Sequence, residues 1–560
     1  MKHSGVSNSA FVEFAETCEA IGSTRSKLQK IRILSEYLSQ MESDEALKTA
    51  VTFLSGRIFP PGENERELNV GYSILWNMIS ELSGLSDTEL SKRYLKHGDL
   101  GDVFAGILSG RSGAPLFQTL VENRLDLGDV HSAFQDLSKT TGEKAVERKK
   151  QILLRLFSSA KSPLEGKYLV KILAREMRIG LVEGLVEESI AKCYSKTLEE
   201  IRMADLLIAN PGEVALLAKH NRLSNARLEP LRPTNFMLAS SARDGKDLFG
   251  KFKLTPFFAE FKYDGIRAQL HKCDANVRIF SRNLADISQF FPEVKEALSN
   301  FEERVLILDG EIIAFQDEKP LPFQMLQKRL RKLSRSESDT PIRYFAFDIL
   351  HHGTSLIGRP FEERLEILRS IKTPEIISFS EQRKVSSVED VQAMFAESKE
   401  LGYEGLVAKD PASHYAPGRR GNSWVKLKEE LDTLDVVIVA AEYGHGKRAG
   451  VISDYTFAVK EGADLKVVGK AYSGLTDAEI SEMTTVLKSI TLRDSGYGRT
   501  VKPQVVIEVA FDAVQRSDRH DSGFALRFPR IKRIRTDKSV SDIDTLEHVR
   551  KIYEAQKVKE

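Results

Sequence analysis

The chain has 560 residues, 41% of them hydrophobic and 29% charged, which predicts a soluble globular protein with more than one hydrophobic core. Its 82 Lys and Arg almost balance 81 Asp and Glu, and this net charge of +1 argues against coating nucleic acid by bulk charge but leaves local basic surfaces open. The absence of an apolar run of about 18 residues excludes a membrane-spanning helix. The three scattered cysteines and the N-terminus without a signal peptide indicate an intracellular protein.

Residues 1–230 are predicted to form an all-α domain. The stretch 161–190 has the spacing of two amphipathic helices, and Lys171, Arg175 and Arg178 on it stand at positions i, i+4 and i+7. This spacing predicts one basic stripe on a helix. Such a stripe is either an ordinary solvated face or a surface for nucleic acid.

Residues 231–432, which follow a proline-containing linker, are predicted to form an α+β domain. Predicted strands cover 256–262, 266–272, 277–281, 305–315, 343–350 and 404–409, and predicted helices lie near 286–300, 322–332 and 360–371.

Residues 433–560 are predicted to form an all-β domain of short strands. The strands cover 434–442, 454–460, 465–472 and 504–511, and one capped helix begins at Thr476-Asp477. A small five-stranded barrel of the OB type fits this number and length of strands. Three domains are therefore expected in all.

The segment Glu260–Gly265 is the most informative part of the chain. Glu260 and Lys262 share one face of a predicted strand, and the residues that follow Gly265 alternate in the same way. The two strands are predicted to form a hairpin that turns at Asp264-Gly265 and lines a pocket. A partly desolvated lysine beside carboxylates suits a nucleophile, although a surface lysine in an ordinary turn has the same pattern.

Five further segments place polar side chains on predicted strands of the middle domain. They are Ser281–Asn283, Leu308–Glu311, Tyr344–Asp348, Glu404–Lys409 and Trp424–Lys428. Each alone is also explained as a strand end at solvent. Together they supply cations for phosphates, carboxylates for a divalent metal and aromatic rings for a base, which is what nucleotidyl transfer to a lysine requires.

In this order, the lysine segment and the five others resemble the motif series of the covalent nucleotidyltransferases, which are DNA ligases, RNA ligases and capping enzymes. The sequences EFKYDGIRAQLH (260–271) and LRFPRIKRIRTDK (526–538) resemble the ATP-dependent DNA ligases of the archaeal and eukaryotic replicative type. Segments 53–60, 94–101 and 174–181 resemble the helical DNA-binding domain of that family, and 444–450 resembles the turn that opens its OB-fold domain. The similarity extends over nearly the whole chain.

The resemblance implies that Lys262 attacks the α-phosphate of ATP and becomes a lysyl-AMP. Glu260 would read the adenine edge and Phe347 would stack on the ring. The implied contacts to the rest of the nucleotide and to Mg²⁺ are Arg267 and Glu311 at the ribose, Arg282, Arg420, Lys426 and Lys428 at the phosphates, and Glu311 with Glu404 at the metal. The last motif, which contains Arg530, Arg533, Arg535, Asp537 and Lys538, would orient pyrophosphate.

The implied substrate is nicked double-stranded DNA, whose 5′-phosphate receives AMP before the 3′-hydroxyl attacks. Lys171, Arg175, Arg178 and Arg530 are the candidate DNA-binding residues. A monomer serving DNA replication, repair and recombination is expected, in the cytoplasm or nucleoid of a prokaryote. A sliding clamp is left open as a further partner.

Three alternative classes fit parts of this pattern. The long helical N-terminal domain and the segment 526–530 argue against an RNA ligase or a capping-type enzyme. An NAD-dependent ligase is opposed because three cysteines cannot form a four-cysteine zinc site. A non-catalytic DNA-binding protein with an inactive nucleotide pocket would have lost motif residues, and none is missing.

Overall fold

The structure, a computed structural model, describes residues 9–62, 68, 70–110, 124–253, 255–331, 340–416, 420–428, 433–444, 448, 450–494 and 498–558. The chain divides into two compact units, one formed by Met1–Leu85 and Leu100–Lys428 and the other by Ser86–Asp99 and Glu429–Glu560. No helix built from the described residues has the length and apolar content to cross a bilayer.

The N-terminal region is helical, as predicted. Its helices are α1 (Phe11–Ser23), α2 (Lys27–Ser39), α3 (Asp44–Leu54), α4 (Tyr72–Ser83), α5 (Asp87–His97, in the second unit), α6 (Leu100–Ser109), α7 (Leu127–Lys139), α8 (Ala145–Ser159), α9 (Pro163–Leu173), α10 (Glu183–Cys193), α11 (Leu198–Ile208) and α12 (Pro211–Lys219). Local sequence explains several starts. Helix α9, for example, has Ser162 as N-cap, a proline at its first position and Glu165 bonded back to the cap.

The predicted basic stripe is wrong. Helix α9 ends at Leu173, and Arg175 and Arg178 follow it with φ angles of 56° and 51°. These left-handed conformations cannot continue a helix, so the i, i+4, i+7 spacing has no helical face. Lys171 is only 5% exposed, and its Nζ lies 3.6 Å from Asp102 Oδ2.

The middle region alternates strands and helices. Its elements are β1 (Leu238–Ala242), α13 (Gly245–Lys251), β2 (Phe257–Lys262), β3 (Ile266–Cys273), β4 (Asn276–Ser281), α14 (Pro292–Ser299), β5 (Val305–Gln316), β6 (Lys319–Pro320), α15 (Phe323–Arg331), β7 (Ile342–His352), β8 (Thr354–Ser355), α16 (Phe361–Ser370), β9 (Ile377–Phe379), β10 (Gln382–Val385), α17 (Val388–Glu400), β11 (Gly405–Lys409) and β12 (Arg420–Lys428). All six predicted strands are confirmed within about two residues, a typical boundary error.

These strands build two sheets. One has the order β1-β12-β11-β2-β10, and the other has the order β4-β3-β5-β7-β8, with β6 beside β5 and β9 beside β7. Apolar side chains of both sheets share one buried cluster, in which Phe261 and Val425 of the first sheet join Ile313 and Phe345 of the second. The two sheets therefore form one core.

The predicted hairpin between β2 and β3 is wrong. Strand β2 pairs with β10 and β11, whereas β3 pairs with β4 and β5. Alternation of side chains indicates which face of a strand is buried but does not indicate its partner. The turn at Asp264-Gly265 instead carries the chain from one sheet to the other.

The C-terminal region is β-rich. Its elements are β13 (Thr433–Tyr443), β14 (Ile452–Glu461), β15 (Asp464–Ala471), α18 (Asp477–Ser489), β16 (Thr491–Asp494), β17 (Gly498–Val501), β18 (Val506–Ala510), β19 (Ala513–Arg516), β20 (Phe524–Arg527), β21 (Arg530–Ile534) and α19 (Leu546–Val558). The main sheet has the order β15-β14-β13-β17-β16, with β18 between β13 and β21. The prediction of an all-β domain is corrected, because α19 joins the predicted α18 and adds Leu546 and Val549 to the core.

Candidate active site

Three charged side chains meet where strands β2, β11 and β12 lie side by side. Gly405, the first residue of β11, is paired with Lys262 on one side and with Lys428 on the other. Glu404 precedes it, and its backbone N–H donates to Lys262 O at 2.9 Å. Glu404 Oε2 thereby forms ion pairs with Lys262 Nζ and, at 2.8 Å, with Lys428 Nζ. Sheet register brings together three residues that are far apart in the sequence.

Two carboxyls at this position have pKa values shifted in opposite directions. Burial would raise the pKa of Glu404, but the charges of Lys262 and Lys428 outweigh it and lower that pKa to about 2. Desolvation raises the pKa of Glu311 to about 8 against the opposing charges of Lys262 and Arg267. Glu404 is therefore an anion at neutral pH, while Glu311 is mostly protonated there.

Arg267 is held inside the protein by a buried carboxylate. Its Nε and Nη2 donate to the two oxygens of Asp309 at 3.1 and 2.7 Å, and its Nη1 donates to Met237 O at 2.7 Å. Tyr415 Oη donates to Asp309 Oδ2 at 2.6 Å. The guanidinium also lies 5.3 Å from the centre of the Phe347 ring. Asp309 therefore fixes the position of Arg267.

Glu260 and Phe347 are connected by two residues to which the sequence assigned no role. Lys409 Nζ is 2.7 Å from Glu260 Oε1 and donates to Phe347 O at 2.9 Å. Gln382 Nε2 donates to Glu260 Oε2 at 2.7 Å and to Phe347 O at 3.2 Å. Lys409 ends the polar segment Glu404–Lys409 named from the sequence. Its partner Glu260 is identified only by the order of the strands.

The remaining residues that were predicted to contact phosphates do not all lie on one element. Arg282 lies exposed just after β4, and Lys426 lies half-buried on the same face of β12 as Lys428. The side chain of Arg420 and residues 445–447 and 449 of the predicted turn are outside the described residues. Arg530 begins β21 in the second unit and is exposed.

The last motif forms its own ion-pair network in the second unit. Arg535 Nη1 donates to Asp435 Oδ1 at 2.9 Å, and Arg535 Nη2 donates to Asp537 Oδ2 at 2.7 Å. Lys538 Nζ lies 2.5 Å from Asp435 Oδ2, and Arg533 Nε donates to Glu508 Oε2 at 2.6 Å. These cations are thus held by carboxylates within their own unit.

The chain also matches known proteins along most of its length. Residues 236–428 match the family model of the ATP dependent DNA ligase domain, 10–191 that of the DNA ligase N terminus, and 448–538 that of the ATP dependent DNA ligase C terminal region. A "Probable DNA ligase" of Koribacter versatilis is 45% identical over 97% of this chain and 96% of its own. A "DNA ligase" of Methanothrix thermoacetophila is 37% identical over 98% of this chain and 99% of its own.

A solved structure named "Pmar-Lig_Pre." has the same fold, with a TM-score of 0.57 and 18% identity, over 93% of this chain and 99% of that chain. The two-sheet middle region carries the lysine and carboxylates, and in the sequence it follows a helical region and precedes a β-rich one, which is the order of domains in an ATP-dependent DNA ligase. The chain belongs to the ATP-dependent DNA ligase family.

Proposed function

We propose that this ligase seals nicks in duplex DNA through a lysyl-AMP intermediate formed on Lys262. The observation that carries the proposal is the position of Lys262 Nζ, which lies against Glu404 and next to Lys428 at the junction of three strands. A lysine with a side chain only 22% exposed is held in one place, and its cationic neighbour favours bound phosphate.

The nucleophile must lose a proton before it attacks. As placed, the Lys262 side chain lies against the Glu404 carboxylate. Glu404 has a second cation, Lys428, with which it stays paired when Lys262 turns toward the α-phosphate. The proton of Lys262 passes to solvent, and the lysine nitrogen bonds to the α-phosphorus as the bond from that phosphorus to pyrophosphate breaks. Lys428 with Lys426 would neutralise the phosphate oxygens.

The interior beside Phe347 has the chemistry of a nucleoside site. Within the part of the chain that the structure describes, Trp424 Nε1 and Gln382 Oε1 are buried without a hydrogen-bond partner. Buried polar atoms normally have partners, so a ligand that supplies a donor and an acceptor fits this place. We propose that Glu260 binds the adenine edge, that Phe347 packs against the ring, and that Arg267 and Glu311 lie toward the ribose.

Glu311 and Glu404 are the proposed Mg²⁺ ligands. Mg²⁺ is usually held by one or two carboxylates together with substrate phosphates. The described residues contain no group of three or more acidic, histidine or cysteine side chains arranged for a metal, so phosphates and water would complete the coordination. The raised pKa of Glu311 fits a carboxyl that becomes an anion when a cation binds. The ion would supply charge neutralisation at the transferred phosphate.

We further propose three domains with boundaries at 1–230, 231–432 and 433–560, the last being an OB fold. The separate matches to 10–191, 236–428 and 448–538 support this division. The sheet built around β13 supports the OB assignment. Nicked duplex DNA would be bound by Arg530 and by the helical domain, in which Arg175 and Arg178 lie in a loop. The enzyme would act as a monomer.

Sealing of a defined nick with each donor supplied separately tests this function. A duplex with a 5′-phosphate at the nick should be joined in the presence of Mg²⁺ and ATP, and the same duplex with a 5′-hydroxyl should not. Separate reactions with ADP, NAD and GTP show which other nucleotides the enzyme accepts as the donor. If none of these donors supports sealing while the protein still binds the duplex, the non-catalytic alternative is correct.

A further inference from the structure

Glu260, Lys409 and Gln382 form a buried polar cluster inside the middle region. Glu260 is 3% exposed, Lys409 is 0% exposed and Gln382 is 6% exposed. Glu260 Oε1 lies 2.7 Å from Lys409 Nζ, and Gln382 Nε2 donates to Glu260 Oε2 at 2.7 Å. The residues come from three adjacent strands, since β2 lies between β11 and β10.

The two charges of this cluster depend on each other. Burial raises the pKa of the Glu260 carboxyl, and the charge of Lys409 opposes this rise. Burial lowers the pKa of Lys409, and the charge of Glu260 opposes that fall. A buried carboxylate that loses its cation takes up a proton. Without Lys409, Glu260 would therefore become a neutral acid.

The same two donors also hold the backbone of Phe347. Its carbonyl oxygen accepts from Lys409 Nζ at 2.9 Å and from Gln382 Nε2 at 3.2 Å. The Lys409 ammonium lies 4.5 Å from the centre of the Phe347 ring and 4.4 Å from that of Trp424. The carboxylate and the aromatic ring that are proposed to contact the base are thus fixed by one pair of donors.

We propose that Lys409 is a positioning residue that selects a 6-amino purine over a 6-oxo purine, because it keeps Glu260 a carboxylate beside a fixed Phe347. This inference rests on the proposed function. An ionised carboxylate only accepts hydrogen bonds, whereas a carboxylic acid also donates one. The amino group of adenine donates, so it suits the anion. The carbonyl oxygen of hypoxanthine accepts, so the anion repels it and the acid would bind it.

Lys409→Met tests the proposal by removing the charge at nearly constant length. The measured quantity is kcat/KM for covalent labelling of Lys262 by ATP and by inosine triphosphate. The ratio of kcat/KM for ATP to that for inosine triphosphate should be about tenfold or more lower in the variant than in the wild type. The reason is that Glu260 loses a charge-assisted hydrogen bond to the adenine amino group and, once protonated, donates to the carbonyl oxygen of hypoxanthine instead. Lys384→Met, an exposed lysine on β10, is the matched control and should keep the wild-type ratio.

Gln382→Glu provides a second variant if Lys409→Met does not fold. It sets a second carboxyl against Glu260 Oε2, and two adjacent carboxyls share one proton, so the preference for ATP should again fall. A merely structural role would lower both rates and leave their ratio unchanged. Variants that melt like the wild type and keep its ratio overturn this inference but not the proposed function. Absence of ATP labelling in the wild type overturns both.

Discussion

Asp205, near the end of α11, is a buried carboxyl with an incomplete set of partners. Asn235 Nδ2 donates to its Oδ2 at 3.0 Å, while its Oδ1 has no hydrogen-bond partner among the described residues. Burial, together with Glu183 and Glu187, raises its pKa from the ordinary value of 3.8 to about 7. The residue lies where Asn235 and Thr234 of the linker contact α11, since Thr234 Oγ1 donates to Leu206 O. Protonation of one side chain therefore stabilises the contact between the helical and middle regions.

This pKa makes stability depend on pH. A carboxyl whose pKa is higher in the folded state contributes stability that is fully present below pH 3.8 and is lost as the pH rises through about 7. Asp205→Asn removes the titration. At about pH 8 the variant should be more stable than the wild type by up to about 4 kcal/mol, and the two should converge at about pH 4.

Thermal unfolding across this pH range checks the expectation. Asp136→Asn, at an exposed position of α7, is the control, because it changes no buried charge. Equal melting curves for the wild type and Asp205→Asn at about pH 8 would show that the Asp205 carboxylate is not destabilising.

At the scale of the elements, the turn between β2 and β3 positions the nucleophile. Gly265 follows Lys262 by three residues, and a Cβ at Gly265 would overlap the carbonyl oxygen of Ile312 on β5. Only glycine allows the chain to approach β5 this closely. The backbone just after Lys262 is therefore fixed against β5.

Gly265→Ala should displace this crossing and reduce self-adenylation by at least about tenfold, since a misplaced nucleophile loses rate steeply. The rate of covalent labelling by ATP is the measurement. Gly250→Ala, in α13, is the matched control and should label at the wild-type rate, because a Cβ at Gly250 would have no heavy atom within 4 Å. Undiminished labelling of Gly265→Ala would show that the turn does not hold the lysine.

The sequence predicts several strands of the middle region but not how they pair. Alternation and apolar runs predicted these strands, because an alternating strand buries one face and a strand with continuous apolar runs, such as β5 or β7, buries both. The motif order placed Lys262, Glu404 and Lys428 in one site. The pairing of β2 with β10 and β11 could not be predicted, since faces do not identify partners. The roles of Lys409 and Gln382 depend on that pairing. The short β16, whose residues are mostly exposed, has no apolar pattern to detect.

At the scale of the whole molecule, charge balance has a consequence for DNA binding. The net charge of +1 means that local cations must supply the attraction to DNA. Contacts to DNA phosphates release counterions, whereas the reaction of Lys262 with ATP takes place among partly buried side chains.

Nick sealing at subsaturating DNA should therefore fall by at least about tenfold between roughly 50 and 200 mM salt. Self-adenylation over the same range should change by less than about threefold, because buried pairs are screened weakly. Parallel assays of both steps on one preparation give the comparison. An equal fall in both would place the salt effect at the nucleotide site.

The central claim is that Lys262 carries the adenylate, and mass spectrometry of the intact protein tests it most directly. After incubation with ATP and Mg²⁺, the wild-type chain should gain the mass of one AMP less one water, on the peptide that contains Lys262. Lys262→Arg should gain none, and Lys384→Arg should gain the same mass as the wild type. An adduct on another residue, or undiminished labelling of Lys262→Arg, would contradict the account.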